Sequence, residues 1–212
     1  MKVITAPEKF DSSNKIVVFL AGGISNCWNW QEEVIKNIEE SGEDTNNLVI
    51  CNPRRSSFDM ANPYEQIRQI EWEFEMLELC DIFSMYFCES ESVQPICMYE
   101  LGRNLLKKEN TWICRDKTQT LLMLPISTCI TVEKGYPRIN DVLIQTKLAT
   151  KGYVVPTIAP DRQYGVKKHA RQILDNYMTL AQYYCLKKYA RQILDNYMTL
   201  ARDYCLGMKE DE

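Results

Sequence analysis

Glu100 is the side chain whose type and setting point most directly to chemistry in this sequence. It stands in the segment Met-Tyr-Glu-Leu-Gly-Arg at residues 98–103, which follows an apolar run at residues 81–87. The run predicts a strand, and leucines at helical spacing after Glu100 predict a helix. The glutamate is then expected in about the first turn of that helix, at the carboxyl edge of the sheet where ligands bind in open α/β folds. The alternative is a glutamate that only complements the helix dipole.

Two further groups of polar residues follow the other predicted strands. Gly22 and Gly23 end the first apolar run and let a ligand approach the backbone closely, while Ser25 and Asn26 supply hydrogen-bond donors. The second run is followed by Asn52-Pro53-Arg54-Arg55, in which two cations could hold a phosphate or an aromatic base. Solvated loop arginines are the alternative.

A fourth group lies on a predicted helix. Gln69 and Glu73 are four residues apart within residues 63–79, so they share one face of that helix. Glu71, Glu75 and Glu78 fit a solvated face instead.

The elements that must position these residues alternate between strand and helix. This alternation builds a parallel sheet through right-handed crossovers. We therefore expect an α/β fold with a doubly wound, flavodoxin-like, mostly parallel five-stranded sheet, flanking helices and a C-terminal helical extension. The patterns predict strands at 16–21, 48–51, 81–87 and 153–156, a further strand at either 111–114 or 128–132, and helices at 29–41, 63–79, from about 100 onward and 140–150.

The chain divides into three predicted regions: an N-terminal extension at 1–15, an α/β domain at 16–160 and a helical tail at 161–212. The tail contains a duplication, because residues 167–186 return as residues 187–206 with three differences in twenty positions. In an unbroken helix the second apolar stripe would point nearly opposite to the first. The second copy could fold back at residues 187–188, pair with another subunit or extend exposed. His169, the only histidine, becomes Tyr189 in the second copy, so we expect a structural role for it.

Composition narrows the class of protein. A net charge of −4 and a pI near 5.3 argue against nucleic acid as a partner. Nine cysteines without a CxxC pair are interpreted as reduced, buried residues of a cytoplasmic protein. No ligand-spaced cluster predicts a metal, and we expect neither a cofactor nor a membrane segment.

Together these residues resemble the nucleoside 2-deoxyribosyltransferase family, which includes the deoxynucleoside-monophosphate N-glycosidases. The resemblance covers about residues 16–108, and the motif Tyr-Glu-Leu-Gly-Arg is its most specific part. It is carried by residues 18–24, 52–55, 66–73, 80–82 and 99–103, in order and at suitable spacing.

The resemblance implies roles for individual residues. Glu100 corresponds to the nucleophile that attacks C1′ of deoxyribose, and Glu73 stands where related enzymes carry an acidic residue beside sugar and base. Tyr99 either packs against the sugar or fills core. Gln94, six residues before the nucleophile, departs from the pattern, since relatives carry an acid or a phosphate-binding serine there. That departure favours a nucleoside over a nucleotide.

The sequence therefore predicts an enzyme that cleaves the N-glycosidic bond of 2′-deoxynucleosides and transfers the sugar through a covalent glutamyl intermediate. One alternative is a deoxynucleoside monophosphate N-glycosidase that transfers the sugar to water. Another is a non-catalytic nucleotide-binding or assembly module, suggested by the duplicated tail. Expected partners are a deoxynucleoside or deoxynucleotide and a free nucleobase, and the resemblance implies a homo-oligomer.

Overall fold

The computed structural model describes residues 1–59, 61–107, 115–116, 119–120, 127–150, 152 and 154–207. Strands and helices alternate along most of this chain, as the apolar patterns predict. The strands are β1 (Lys2–Thr5), β2 (Ile16–Gly22), β3 (Leu48–Asn52), β4 (Ile82–Phe87), β5 (Arg115–Asp116), β6 (Gln119–Thr120), β7 (Ser127–Glu133) and β8 (Thr157–Ala159). The helices are α1 (Trp30–Glu39), α2 (Pro63–Leu79), α3 (Pro95–Lys107), α4 (Ile139–Thr150) and α5 (Arg162–Gly207).

Six strands form one parallel sheet in the order β1-β3-β2-β4-β7-β8. The strands from β3 to β8 have the flavodoxin-like order, so the predicted α/β class is confirmed. The two-residue strands β5 and β6 pair antiparallel in a separate hairpin. The chain passes from β2 to β3 on one side and then to β4 on the other, which makes the β2–β4 boundary the switch point of the sheet.

The predicted count of five strands in this sheet is wrong, because the N-terminal extension contributes an edge strand. Residues 2–5 pair with β3, with Ile4 inside the core and Lys2 exposed at the start of the strand. The last strand also lies later than the predicted 153–156. Pro156 has no N–H to donate to a ladder, and pairing with β7 begins at Thr157. The alternative strand at 111–114 lies outside the described residues, whereas 128–132 falls within β7.

Helices cover both faces of the sheet, as expected for a doubly wound fold. Alternation along β4 shows the two layers: Phe83 belongs to the core cluster shared with α2, α3 and α4. Tyr86 faces the opposite side and stacks on Trp30 of α1 at a ring distance of 4.9 Å. The same side receives α5, where His169 lies 2.6 Å from Ser84.

Helix α5 carries both copies of the repeat without a break at residues 187–188, so the chain does not fold back there. Contacts divide the chain into two units, Met1–Asn176 and Tyr177–Glu212. In the first unit Ile173 and Leu174 are buried. In the second unit the equivalent Ile193 and Leu194 are 68% and 59% exposed. No helix among the described residues is both long and apolar enough to cross a membrane.

The expectation that all nine cysteines are reduced is wrong for one pair. Cys27, after β2, and Cys88, after β4, form a disulfide with a Cα–Cα distance of 6.4 Å. Of the other cysteines with described side chains, Cys51, Cys80, Cys97 and Cys129 are buried thiols and Cys185 is an exposed thiol. Pairing across two strands could not be read from spacing, because the two residues are 61 positions apart.

Candidate functional site

A cavity of about 250 Å³ opens at the switch point between β2 and β4. The loop after β2 forms one wall, and the loop after β4 with the start of α3 forms the other. Pro53, after β3, and Glu73, on α2, contribute to the same lining. The lining residues are Phe19, Ala21, Gly22, Gly23, Ile24, Ser25, Pro53, Glu73, Ser92, Gln94, Pro95, Ile96, Cys97 and Glu100. The cavity thus lies where ligands bind in open α/β sheets.

Glu100 lies in the second turn of α3 rather than at its start. The apolar stripe of Cys97, Leu101 and Leu105 fixes this helix against the sheet, and it carries Glu100 into the cavity wall with only 8% of the residue exposed. Among the described residues none donates a hydrogen bond to its carboxyl group. Burial raises the pKa of Glu100 to about 8, with a further rise from Glu73 and an opposing effect of Arg103.

Glu73 is the second carboxyl group in the lining. Helix α2 begins at Pro63 with Asn62 as its N-cap, and Trp72, Met76 and Leu77 bury its inner face. Burial raises the pKa of Glu73, while a hydrogen bond from Gln69 lowers it. Glu73 also raises the pKa of Glu100, so the two carboxyl groups interact electrostatically.

Gln69 lies behind the cavity rather than in its lining. Its amide nitrogen donates to the carboxylate of Glu73 at 2.7 Å and to the carbonyl of Pro53 at 2.9 Å. The side chain therefore ties the loop after β3 to Glu73 and fixes the position of that carboxylate.

Gly22, the last residue of β2, and Gly23, the first residue of the loop after it, are both required by close packing. Gly22 has φ of +150°, and a Cβ there would lie 2.3 Å from the carbonyl of Tyr86. A Cβ on Gly23 would lie 2.4 Å from the sulfur of Cys27 and 2.7 Å from the amide of Gln94. Ser25 follows them in the lining, while Asn26 is exposed and outside it.

The two arginines after β3 are outside the cavity lining. Arg54 donates to Gln31 at 2.9 Å and to the carbonyl groups of Ile24, Cys27 and Trp28 at 3.1–3.2 Å. Arg55 pairs with Glu65 on α2 at 2.8 Å. The guanidinium groups thus hold the loops around the cavity, and Arg54 in particular fixes the loop that bears Gly23 and Ser25.

Gln94 lies in the lining and immediately precedes α3. Its φ is +45°, and its amide nitrogen donates to the carbonyl of Cys88 at 2.9 Å. The amide oxygen is buried without a hydrogen-bond partner, so it is an acceptor left for a ligand. Tyr99, by contrast, is 59% exposed and is not part of the lining.

Several lining residues were not anticipated from the sequence, among them Pro53, Ile96 and Cys97. Cys97 precedes Glu100 by three positions, so helical spacing alone could have placed both on one face. Pro53 is the first residue after β3, and the strand order that places β3 beside β2 is not evident from the sequence.

The charged side chains of the described cavity lining are all acidic. It contains two carboxyl groups and neither lysine nor arginine among the residues that the structure describes. In the same part of the chain no cluster of histidine, cysteine, aspartate and glutamate could hold a metal ion. The site is therefore suited to acid–base or nucleophilic chemistry by carboxyl groups on an uncharged ligand.

Comparison with known proteins identifies the domain that carries this site. No curated protein matches the chain. Residues 15–118 match the family model described as nucleoside 2-deoxyribosyltransferase like. The match spans β2 through α3 and includes Glu73, Gln94 and Glu100. Residues 15–118 are therefore a nucleoside 2-deoxyribosyltransferase-like domain.

Proposed function

We propose that this protein cleaves the N-glycosidic bond of 2′-deoxynucleosides and transfers the deoxyribosyl group to a second base through a covalent intermediate on Glu100. The observation that carries the proposal is the setting of Glu100. Its carboxyl group lines the switch-point cavity, is almost fully buried and receives no hydrogen bond from the described residues. A carboxyl group buried in this way has a raised pKa and is available to a ligand.

The chemistry follows from two carboxyl groups that share one site. The anionic oxygen of Glu100 attacks C1′ as the bond to the base breaks, and the new ester holds the sugar. The departing base takes a proton from Glu73, whose pKa is also raised by burial. A second base then attacks C1′, the ester bond breaks, and Glu73 receives the proton that the incoming base releases. The reaction requires the form of the pair in which Glu73 holds the proton and Glu100 is ionised. In the unliganded site Glu100 keeps its proton up to about pH 8, so this proton must leave Glu100 before attack.

The lining favours a nucleoside over a nucleotide. A phosphate would bring negative charge beside Glu73 and Glu100, and no lysine or arginine of the described lining could offset it. Gln94 presents an acceptor oxygen, which suits a sugar hydroxyl or an amino group better than a phosphate oxygen. Family membership implies nucleoside substrates in general.

An exchange assay tests the proposal. Purified protein is incubated with a deoxynucleoside and a different free base, and the products are separated by chromatography. We expect the exchanged nucleoside to form. The assay is repeated without the second base, where release of free base would show that water also accepts the sugar.

Glu100→Gln is the critical variant, because glutamine keeps the size of the side chain and removes the nucleophile. We expect no exchanged product and no covalent sugar adduct in intact-mass spectra of this variant, with a circular dichroism spectrum like that of the native protein. An active Glu100→Gln protein would contradict the proposal, as would the absence of both exchange and base release in the native protein across all four common deoxynucleosides.

A further inference from the structure

We infer that the Cys27–Cys88 pair is a redox-modified site that controls the shape of the substrate cavity. The disulfide joins the loop after β2 to the end of β4, so it crosses the switch point directly behind the two walls of the cavity. The effect on turnover rests on the proposed function. The effect on loop structure does not, and it can be measured separately.

Each sulfur contacts a residue of the cavity wall. The sulfur of Cys27 packs against Gly23 so closely that a Cβ there would lie 2.4 Å from it. The sulfur of Cys88 lies 3.6 Å from the amide nitrogen of Gln94, which also donates to the carbonyl of Cys88. A Cβ on Gly23 would also lie 2.7 Å from the side-chain amide of Gln94, so the two loops lie close together at this point. The disulfide therefore fixes the separation of the two loops and the place of the acceptor oxygen of Gln94.

The two loops have other attachments, and these decide what reduction can change. Arg54 holds the carbonyl groups of Ile24 and Cys27, so the first loop keeps its anchor to β3 when the disulfide opens. In the described structure the bond between Cys27 and Cys88 is the covalent link from the first loop to the second. Reduction should then loosen the wall at Gly23 and Gln94 without unfolding the domain.

The exposure of the two cysteines indicates which sulfur is attacked first in thiol–disulfide exchange. Cys88 is fully buried, whereas Cys27 is partly exposed. A thiolate of a small dithiol attacks the sulfur of Cys27, the Cys27–Cys88 bond breaks, and Cys88 leaves as a thiolate that takes up a proton. The second thiol of the reagent then attacks the mixed disulfide, which releases Cys27 as a thiolate and the reagent as a cyclic disulfide. Reoxidation by glutathione disulfide reverses the two-electron change and yields two molecules of reduced glutathione.

The test compares the native protein before and after treatment with dithiothreitol. Alkylation followed by peptide mass spectrometry reports whether Cys27 and Cys88 are linked, and hydrogen exchange reports the protection of residues 23–29 and 88–94. On reduction we expect both cysteines to become alkylated, those two segments to exchange faster and Tm to fall by roughly 10 °C, as for a 61-residue loop. For the exchange reaction we expect KM to rise about tenfold with a smaller change in kcat, since a preorganised wall is lost.

Two variants separate this inference from nonspecific effects of the reagent. Cys27→Ser cannot form the link, so it should match the reduced native protein in either buffer. Cys185→Ser removes an exposed free cysteine and should respond to reduction as the native protein does.

The inference fails if Cys27 and Cys88 are both alkylated without reduction. It also fails if reduction changes neither the hydrogen-exchange rates of residues 23–29 and 88–94 nor the KM of the deoxyribosyl-transfer reaction. If deoxynucleosides are not substrates but the two segments still respond to reduction, the proposed function fails and the redox site stands.

Discussion

Two buried polar regions lie on opposite faces of the sheet, and they differ in how their polar groups are satisfied. The first is the carboxylate pair, Glu73 and Glu100, in the cavity between β2 and β4. The second, which we call the histidine cluster, lies between the sheet and helices α1 and α5. The histidine cluster consists of Ser84, Tyr86, Thr131, Glu133 and His169.

Every ionisable group of the histidine cluster has partners within the protein. Glu133 accepts hydrogen bonds from Tyr86 at 2.9 Å, from the indole of Trp28 at 3.1 Å and from the backbone N–H of Glu89. His169 is fully buried, 2.6 Å from the hydroxyl of Ser84 and 2.9 Å from that of Thr131. Burial lowers its pKa to about 3, which keeps the imidazole neutral.

The comparison shows that burial and a displaced pKa do not by themselves mark a site. Both regions contain them, but only the carboxylate pair lines a cavity and leaves a carboxyl group without a donor among the described residues. The polar groups of the histidine cluster make their hydrogen bonds within the protein, and these bonds stabilise the fold. We therefore expect substitutions in the first region to change activity and those in the second to change stability.

The largest effect is expected for Glu100→Gln. Loss of the nucleophile should lower kcat at least 10³-fold, or about 4 kcal/mol of transition-state stabilisation. Tm should stay equal or rise, because an uncharged amide replaces a group that is costly to ionise where it is buried. Steady-state kinetics and calorimetry measure the two quantities. A Glu100→Gln protein with a lower Tm and unchanged activity would contradict the assignment of Glu100 to the functional region.

Glu73→Gln should have the next largest effect on activity. Without the acid, kcat should fall on the order of 10²-fold, and most for bases that are poor leaving groups. Removal of Glu73 also removes a charge that raises the pKa of Glu100, so the remaining activity should persist to lower pH. The control is Glu71→Gln, which changes an exposed carboxyl group on the same helix and should leave kcat unchanged. Equal loss in both variants would contradict the role of Glu73.

The class of fold and the sheet edge that bears the cavity could be predicted from the sequence, because both depend on local patterns. Long apolar runs mark buried parallel strands, and glycines or prolines end them. Spacing placed Glu73 and Glu100 among the candidate residues, and the resemblance to a known family implied their roles. A structural role for His169 was also predicted, since its equivalent in the second repeat is a tyrosine, and His169 is fully buried.

Features that depend on distant parts of the chain could not be predicted. The edge strand β1 is four residues long and is stabilised by pairing with β3, which no local pattern reveals. Two consecutive arginines after β3 are typical of an anion-binding site. In the structure, however, the guanidinium group of Arg54 donates to backbone carbonyl groups of the loop after β2. Ile173 and Ile193 are equivalent positions of the two repeats, yet the first is buried and the second is exposed. The spacing of apolar residues therefore predicts an apolar helix face but not which part of the protein covers it.

In the histidine cluster Glu133→Ala should mainly affect stability. Truncation leaves the hydroxyl of Tyr86, the indole of Trp28 and the N–H of Glu89 without their acceptor. We expect the free energy of unfolding to fall by roughly 3 kcal/mol, as for other broken buried networks. Chemical denaturation measures this change, and kcat per folded molecule at 15 °C should vary less than threefold if the cluster is structural. A loss of kcat without a loss of stability would place Glu133 in the site.

The smallest effect, and the sharpest contrast between the regions, is in the pH dependence of stability. The native state holds the Glu100 proton up to about pH 8, whereas an unfolded chain releases it near 4.5. The free energy of unfolding should therefore fall as pH rises from 4.5 to 8.

His169 has the opposite sign, because its pKa is lowered in the native state. An unfolded chain takes up the proton below about pH 6.5 and the native state only near pH 3, so stability should fall as pH decreases through that window. Urea denaturation of the native protein and of Glu100→Gln, at half-unit steps from pH 4 to 9, separates the two contributions. The difference between the two proteins should grow between pH 4.5 and 8 and then level off. A constant difference across that window would mean that Glu100 ionises as an exposed carboxyl group does, and the contrast between the two regions would disappear.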